Sequence, residues 1–285
     1  MRKGLLKRTG NRSIAGNITM FIVLLAFGMF FIFPIIYAIN TAFKPVNEIF
    51  IFPPRIFVRN PTMNNFIQLG QITADFWVPL SRYLFNSFFV SIIGTAGHLL
   101  LASMAAYPMA KHDFPGKKII RLLIVMSLLF TASVTYLPQY IVMSKLGFIN
   151  TYSALIFPAW QASLGLYLMM NFMTMIPNEM IESARIDGVG EARIYWSFIM
   201  PNVKPAWLTL IIFSFQGIWN STGETLIYRE EFKVLPAILS QITDGGIARA
   251  GVGSAAALLL MVPPIVIFAL SQNKVVETMS TSGLK

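Results

Sequence analysis

The 285-residue chain has no cysteine. Disulfides, zinc–thiolate centres, iron–sulfur clusters and thiol nucleophiles are therefore excluded. Charge is scarce as well: Asp, Glu, Lys and Arg make up 12 % of the residues, roughly half the share of an ordinary soluble domain. The charges avoid six long stretches, approximately Ser13–Phe43, Tyr83–Ala110, Leu122–Ser144, Leu146–Asn178, Pro205–Gly223 and Ala250–Asn273. Charged groups at bilayer depth mark proton and ion pathways, and these stretches hold no Asp, Glu, Lys or Arg. Also missing are the phosphate-binding G-x-x-x-x-G-K-[ST] loop and the hydrolytic motifs H-E-x-x-H and G-x-S-x-G. The chain thus carries no nucleotide-binding element and no recognisable catalytic group, and no cofactor is expected in it. His98 and His112 are the only histidines, and His98 alone makes no metal site.

Hydrophobic residues are abundant, at 55 % of the chain. A helix needs roughly 20 consecutive apolar residues to cross a bilayer. The six stretches predict an all-α integral membrane protein with six transmembrane helices. The fourth stretch holds its own loop, because Asn150–Thr151 reads as a helix start, and the fifth is the shortest. Arg2, Lys3, Lys7, Arg8 and Arg12 precede the first apolar run, Ile18–Ala42. That run is too long for a signal peptide and has no small-x-small cleavage site, so it reads as an uncleaved first span. With the N-terminus inside, the inner segments hold 14 Lys and Arg and the outer ones eight of the 22. The positive-inside rule then puts both termini in the cytoplasm. Topology accounts for the net charge of +10, and no nucleic-acid partner is expected.

The organisation follows. Residues 1–82 hold the N-terminal tail, the first span and a long outer loop, Lys44–Arg82, broken by Pro45, Pro53, Pro54, Pro61 and Pro79. Residues 83–285 form the transmembrane core, with a second long outer loop at Ser221–Arg249. Pro34, Pro138, Pro158 and the pair Pro263–Pro264 fall inside spans, where they kink or curve a helix.

The most informative segment is the inner loop at about 176–201. Pro177 suits a helix's first turn, and Glu179 complements its dipole. Gly188 can take the left-handed conformation that stops it. Ile181, Ala184 and Gly188 share a mostly small face that another surface could approach. Glu182 and Arg185 are spaced to pair. A second short helix starts near Glu191, with Ala192, Tyr195, Trp196 and Ile199 as its apolar stripe. Two readings remain: an ordinary interfacial loop, or a docking element for a separate protein.

Glu182-Ser183-Ala184, Gly188 and Pro201 resemble the E-A-A…G…L-P motif of ABC importer permeases. The run I-P-x-E-x-x-E-x-A-x-x-D-G, Ile176 to Gly188, is similar to the carbohydrate-uptake, maltose-type inner-membrane permeases. Ser183 and Met200 depart mildly from the pattern. Asn86-Ser87, Ala105-Ala106-Tyr107, Leu146-Gly147-Phe148-Ile149-Asn150-Thr151, Trp219-Asn220 and Leu235-Pro236 extend the resemblance from about Tyr83 to the C-terminus, while Thr278 and Ser282 depart from it. The resemblance implies a permease of a bacterial or archaeal cell membrane, paired with a second homologous permease. Two cytoplasmic ATPase subunits would use Mg-ATP, and an extracytoplasmic binding protein would deliver a sugar, an oligosaccharide first among the candidates. By carry-over, Glu182 pairs with a basic ATPase residue, Ser183 and Ala184 fit the ATPase cleft, and Gly188 gives the tight turn that seats the helix, with Asp187 in the same docking set.

Ser91, Thr95 and His98 form a polar stripe on the second span, and Gln216 with Asn220 a similar pair on the fifth. These are candidates for the substrate path, or for interhelical hydrogen bonds. Competing readings are an ATP-independent secondary transporter or channel subunit, a membrane-embedded enzyme and a structural assembly protein.

Overall fold

A computed structural model describes residues 14–74, 78–246 and 249–282. The basic N-terminal cluster and Lys285 lie outside the described residues. No described residue is in a β-strand. In chain order the helices are α1 (Ile14–Ala42), α2 (Val46–Ile49), α3 (Asn64–Ala74), α4 (Leu80–Lys111), α5 (Lys117–Ser127), α6 (Ala132–Lys145), α7 (Ser153–Trp160), α8 (Ser163–Thr174), α9 (Asn178–Ile186), α10 (Glu191–Ile194), α11 (Met200–Asn202), α12 (Lys204–Trp219), α13 (Leu235–Thr243) and α14 (Ala250–Ser282). A π turn, Tyr195–Ile199, joins α10 to α11, and a 3-10 turn spans Glu230–Phe232.

Among the described residues four helical stretches are long and apolar enough to cross a membrane: Gly16–Ala42, Leu80–Lys111, Ser153–Thr174 and Ala250–Gln272. Residues 191–202 and 204–219 reach that length only when taken together, and they are bent by 78°. The expected fifth span is therefore short. At 16 residues, α12 covers only ~24 Å of a core ~30 Å thick. The expected third span is divided between α5 and α6 at Leu128–Thr131, ahead of Pro138. The fourth holds its break at Gln161–Ala162, just past Pro158.

The bundle centres on α4. It packs against α8, α12 and α7, with small residues at the closest approaches. A Cβ on Gly97 would lie 2.2 Å from the Trp160 ring, and one on Gly165 would lie 2.4 Å from His98. Close approach through small residues is the usual way membrane helices associate. Buried Met169, Met170 and Met173 of α8 fill the core at one end of α4, with Ala102, Ala106, Ile194 and Leu210. Tyr83, Phe215, Trp219, Leu235 and Ile238 fill the other.

α14 stays continuous through Pro263–Pro264, and a neighbour replaces one lost bond. Pro264 has no N–H for the carbonyl of Leu260, four residues earlier. Trp219 Nε1 donates to that carbonyl at 2.9 Å. The loop after α1 is similarly pinned. Asn65 Nδ2 donates to the carbonyls of Ala42 (2.8 Å) and Lys44 (2.7 Å). Glu48 accepts from the backbone N–H groups of Arg59 and Asn60, each at 3.0 Å. The Arg59 bond leads in holding the Glu48 carboxyl below its ordinary pKa. α1 lies along α14, yet none of its apolar window is buried within the chain.

Candidate functional site

The segment 176–201 folds as two short helices at the end of α4. Pro177 is extended (φ −59°, ψ 138°) and immediately precedes α9, rather than sitting in its first turn. Glu179 does sit in that turn. The helix stops at Gly188, whose φ is +78°. Val189 N–H donates to the carbonyl of Ala184 and Gly188 N–H to that of Arg185, each at 3.0 Å. This pair of bonds is a Schellman ending, which a left-handed glycine permits without steric cost.

The small face of α9 points inward. Ile181 and Ala184 are each 4 % exposed and pack into the chain's own core. The outward face carries Glu179, Glu182, Ser183, Asp187 and Ile186. Ile186 is 86 % exposed. Nothing lies within 4 Å of a Cβ built on Gly188.

Arg185 pairs with Glu191, not with Glu182. Its Nε and Nη2 lie 2.8 and 2.7 Å from Glu191 Oε1. The Tyr107 hydroxyl donates to Glu191 Oε2 at 2.6 Å. Arg185 Nη2 also reaches His112 Nε2 at 3.2 Å. Lys111 Nζ donates to the carbonyl of Ile176 and, at 3.0 Å, to Asn178 Oδ1. One turn earlier on α4, Ser103 and Tyr195 share a hydrogen bond of 2.7 Å. Both short helices are thus tied to the last turns of α4. The Tyr107 hydroxyl, then Arg185, keeps the Glu191 carboxyl below its ordinary pKa.

The second helix differs from its predicted register. Tyr195–Ile199 is a π turn, because Pro201 offers no N–H to the carbonyl of Ser197. The wider turn buries Ile194, Tyr195 and Ile199 and leaves Ala192 and Trp196 exposed.

Towards the opposite end of α4 a cavity of about 470 Å³ opens between α4, α6, α7, α8, α12 and the loop after α12. His98 stands in its wall. His98 Nε2 is 3.0 Å from the Ala162 carbonyl, at the α7–α8 break, and Nδ1 is 3.0 Å from Ser214 Oγ. A carbonyl only accepts, so Nε2 carries the proton and Nδ1 accepts from the serine. The neutral ring satisfies both contacts.

The rim of the cavity is clasped by uncharged side chains. Asn86 Nδ2 donates to the carbonyls of Glu231 (2.9 Å) and Lys233 (2.8 Å), and its Oδ1 accepts from Tyr152 (2.7 Å). Ser87 Oγ accepts from Leu235 N–H at 2.7 Å. Asn150 Oδ1 accepts from the N–H groups of Tyr228 (2.6 Å) and Arg229 (2.9 Å). Asn150, read from the sequence as a helix start, is instead a left-handed turn residue (φ +60°) holding the rim.

Residues 12–280 match the family of binding-protein-dependent transport system inner membrane components. The chain belongs to this family. Protein LplC of Bacillus subtilis is 35 % identical over 159 residues, 55 % of this chain and 53 % of LplC, about half of either protein. The arabinooligosaccharides transport system permease protein AraQ of Halalkalibacterium halodurans is 26 % identical over 89 % of this chain and 91 % of AraQ. In three dimensions the chain resembles a subunit of a bacterial ABC transporter involved in the import of the acidic polysaccharide alginate. The TM-score there is 0.76 at 18 % identity, covering 93 % of this chain and 99 % of that one. The importer-permease resemblance read from the sequence is borne out, and with it the inner-membrane location.

Within this permease fold the motif residues fall into two groups. Glu182, Ser183, Asp187 and Gly188 lie together on the outward surface of the loop, whereas Ala184 faces the core. Of the five residues named for a substrate path, only His98 lines the cavity. Ser91 and Thr95 are buried in helix packing, with no hydrogen-bond partner for Thr95 Oγ1. Gln216 lines a separate shallow groove against α14, and Asn220 is exposed. The sequence reading missed Gln139, Ser214, Thr222, Glu224 and Thr225, which do line the cavity. Four come from a loop or from a helix read as plain apolar, where periodicity gives no signal; Ser214, two residues before Gln216, could have been found as a helix-face neighbour of Gly217.

Proposed function

We propose that this chain is one of two permease subunits of an ATP-driven importer for a carbohydrate, an oligosaccharide in the first instance. Six spans cross the membrane, with α5–α6 as the third and α12 as the short fifth, and both termini are cytoplasmic. The chain pairs with a second permease, stands on two cytoplasmic ATPase subunits that use Mg-ATP, and receives solute from an extracytoplasmic binding protein. α1 packs along α14 but buries none of its apolar window within the chain, so its remaining face meets lipid or the second permease. AraQ by its name, and the alginate transporter by its description, support the carbohydrate class.

The reading rests on one observation: α9 is a short helix fixed from behind and free in front. Its inner face is buried, and Arg185, Lys111 and Tyr107 tie its surroundings to α4. Its outer face offers Glu182, with no ion pair within the described chain, next to Ser183 and the apolar Ile186. Such a face suits docking to a motor whose movement must reach the membrane helices. An ATP-independent carrier would have no use for it.

Reconstitution with the ATPase, the second permease and the binding protein tests this. Glu182→Lys and Gly188→Arg are expected to abolish solute-stimulated ATP hydrolysis and detach the ATPase, while the helical fold persists in circular dichroism. The arginine has room outside the chain, and its left-handed backbone costs only ~1–2 kcal/mol. Unchanged ATPase association and uptake in both variants would refute the docking role.

A further inference from the structure

The relatives leave open whether the solute is charged: one name specifies an arabinooligosaccharide, and one structure belongs to a transporter of an acidic polysaccharide. The cavity wall bears on that choice. Its volume lies within the range of small-molecule sites. Its polar groups are mostly uncharged: Gln139, Ser214, Ser221, Thr222 and Thr225. No Lys or Arg lines it, and its one acidic residue is Glu224. The Ser240 hydroxyl donates to Glu224 Oε1 at 2.9 Å, which fixes the carboxyl at the rim. His98 offers the solute no free N–H, since its two ring nitrogens are engaged by Ser214 and the Ala162 carbonyl. The cations that follow in the same loop are engaged elsewhere: Arg229 pairs with Glu231, and Lys233 with Glu230.

The rim also carries tyrosines. Tyr136, Gln139, Tyr140 and Met143 share one face of α6 by their spacing. Gln139 lines the cavity, while Met143 packs on Leu226 and Ile227 of the facing loop. Tyr228 donates to the carbonyl of Thr225, a lining residue, at 2.9 Å. Rings of this kind present an apolar face with a hydroxyl edge, suited to the mixed C–H and O–H surface of a sugar.

We infer that this cavity is a subsite for uncharged, hydroxyl-rich glycan units and that Glu224 makes it reject acidic ones. The inference rests on the permease reading above and specifies its solute. A carboxylate, phosphate or sulfonate entering a confined site loses water and needs a compensating cation. Here it would meet a carboxyl group instead. A neutral sugar trades water for amide and hydroxyl partners with no net charge to place.

The absence of cysteine gives a clean test. Thr225→Cys supplies a single thiol in the cavity wall of the full complex in proteoliposomes, and Ser197→Cys a control on the exposed loop at the other end of α4. Maleimide labelling is then timed with neutral arabino- and malto-oligosaccharides and with oligogalacturonates of matched length. Neutral glycans are expected to slow labelling at Thr225→Cys and leave Ser197→Cys unchanged. Acidic ones should need about tenfold higher concentration for the same protection, as like charges at a contact require. Adding Glu224→Gln should narrow that gap, and Glu224→Lys should reverse it. Equal or better protection by the acidic glycans, an unaltered gap in both Glu224 variants, or no protection by any glycan would each overturn the inference. If Glu182→Lys leaves ATP-driven uptake intact while neutral glycans still protect, the docking reading fails and the subsite stands.

Discussion

The two ends of α4 are fastened by different chemistry. At the loop end, charge-assisted bonds converge: Arg185 and the Tyr107 hydroxyl on the Glu191 carboxylate, and the Lys111 ammonium on Ile176 and Asn178. At the cavity end, neutral Asn86, Ser87 and Asn150 make the shorter bonds, to backbone groups of the facing loop, and the charged contacts of α4 are longer: Tyr83 to Glu230 at 3.2 Å and Arg82 to the Glu231 carbonyl at 3.4 Å. Charge-assisted bonds are about twice as strong as neutral ones and fix direction. They suit a joint that must not slip, and water beside the membrane makes them affordable. Neutral bonds to backbone shape a wall without placing charge beside the solute. On the proposed function, one end transmits movement and the other defines a passage.

The largest effect expected from breaking this contrast is at the shared middle of α4. Gly165→Val puts side-chain atoms where His98 Nε2 now lies, 2.4 Å from the first added carbon. The imidazole must leave Ala162 or α8 must move away, costing ~1–3 kcal/mol as overpacking does. Lower thermal stability of the detergent-solubilised chain is expected, with altered labelling at Thr225→Cys and an unchanged loop end.

Next in size is Glu191→Gln, which acts only at the loop end. The group is half exposed, so the loss is ~1–2 kcal/mol after screening. ATPase subunits should still bind, but solute transported per ATP hydrolysed should fall. Glu191→Asp should recover part of that ratio, which a purely structural defect would not. pH gives the same contrast. The Glu191 carboxyl titrates below its ordinary range when folded. Its stabilisation is therefore complete above the unfolded-state pKa and drains away as pH falls through the lower folded value. Acid should loosen the loop, measured as faster hydrogen exchange in 176–191, before it affects the neutral clasps.

The smallest effect is Trp219→Phe. It keeps the ring stacked on Phe215 but removes the donor to Leu260, costing ~1 kcal/mol. Faster hydrogen exchange around Pro264 is the readout, with coupling unchanged.

Much of this architecture was legible in the sequence, for physical reasons. Charge-free runs of bilayer length gave α1, α4 and α14, because burial in lipid leaves no alternative to apolar composition. Gly188 gave the helix stop, because few other residues take φ near +78°. Less legible was which way a short helix turns. Ile181 and Ala184 looked like an open landing face, yet tertiary packing claimed them, and the outward surface passed to Glu182 and Ile186. The π turn was hidden because its cause, a missing N–H at Pro201, changes periodicity only locally. The cavity lining escaped because it is assembled from a helix break and a loop, neither of which has a period. Asn86 and Asn150 were visible as motif residues, but their common task of holding the cavity rim appears only in three dimensions, as does the bond from Trp219 to α14.

One further consequence follows from α4 being unbroken. Its 32 residues make a rod ~48 Å long, gripped near both tips and narrowed to glycine contacts about its midpoint. A rod held that way pivots more readily than it slides. A push on one tip would then swing the other in the opposite sense, so that a motor on one side of the membrane could widen or pinch the passage on the far side without any part of the chain unfolding.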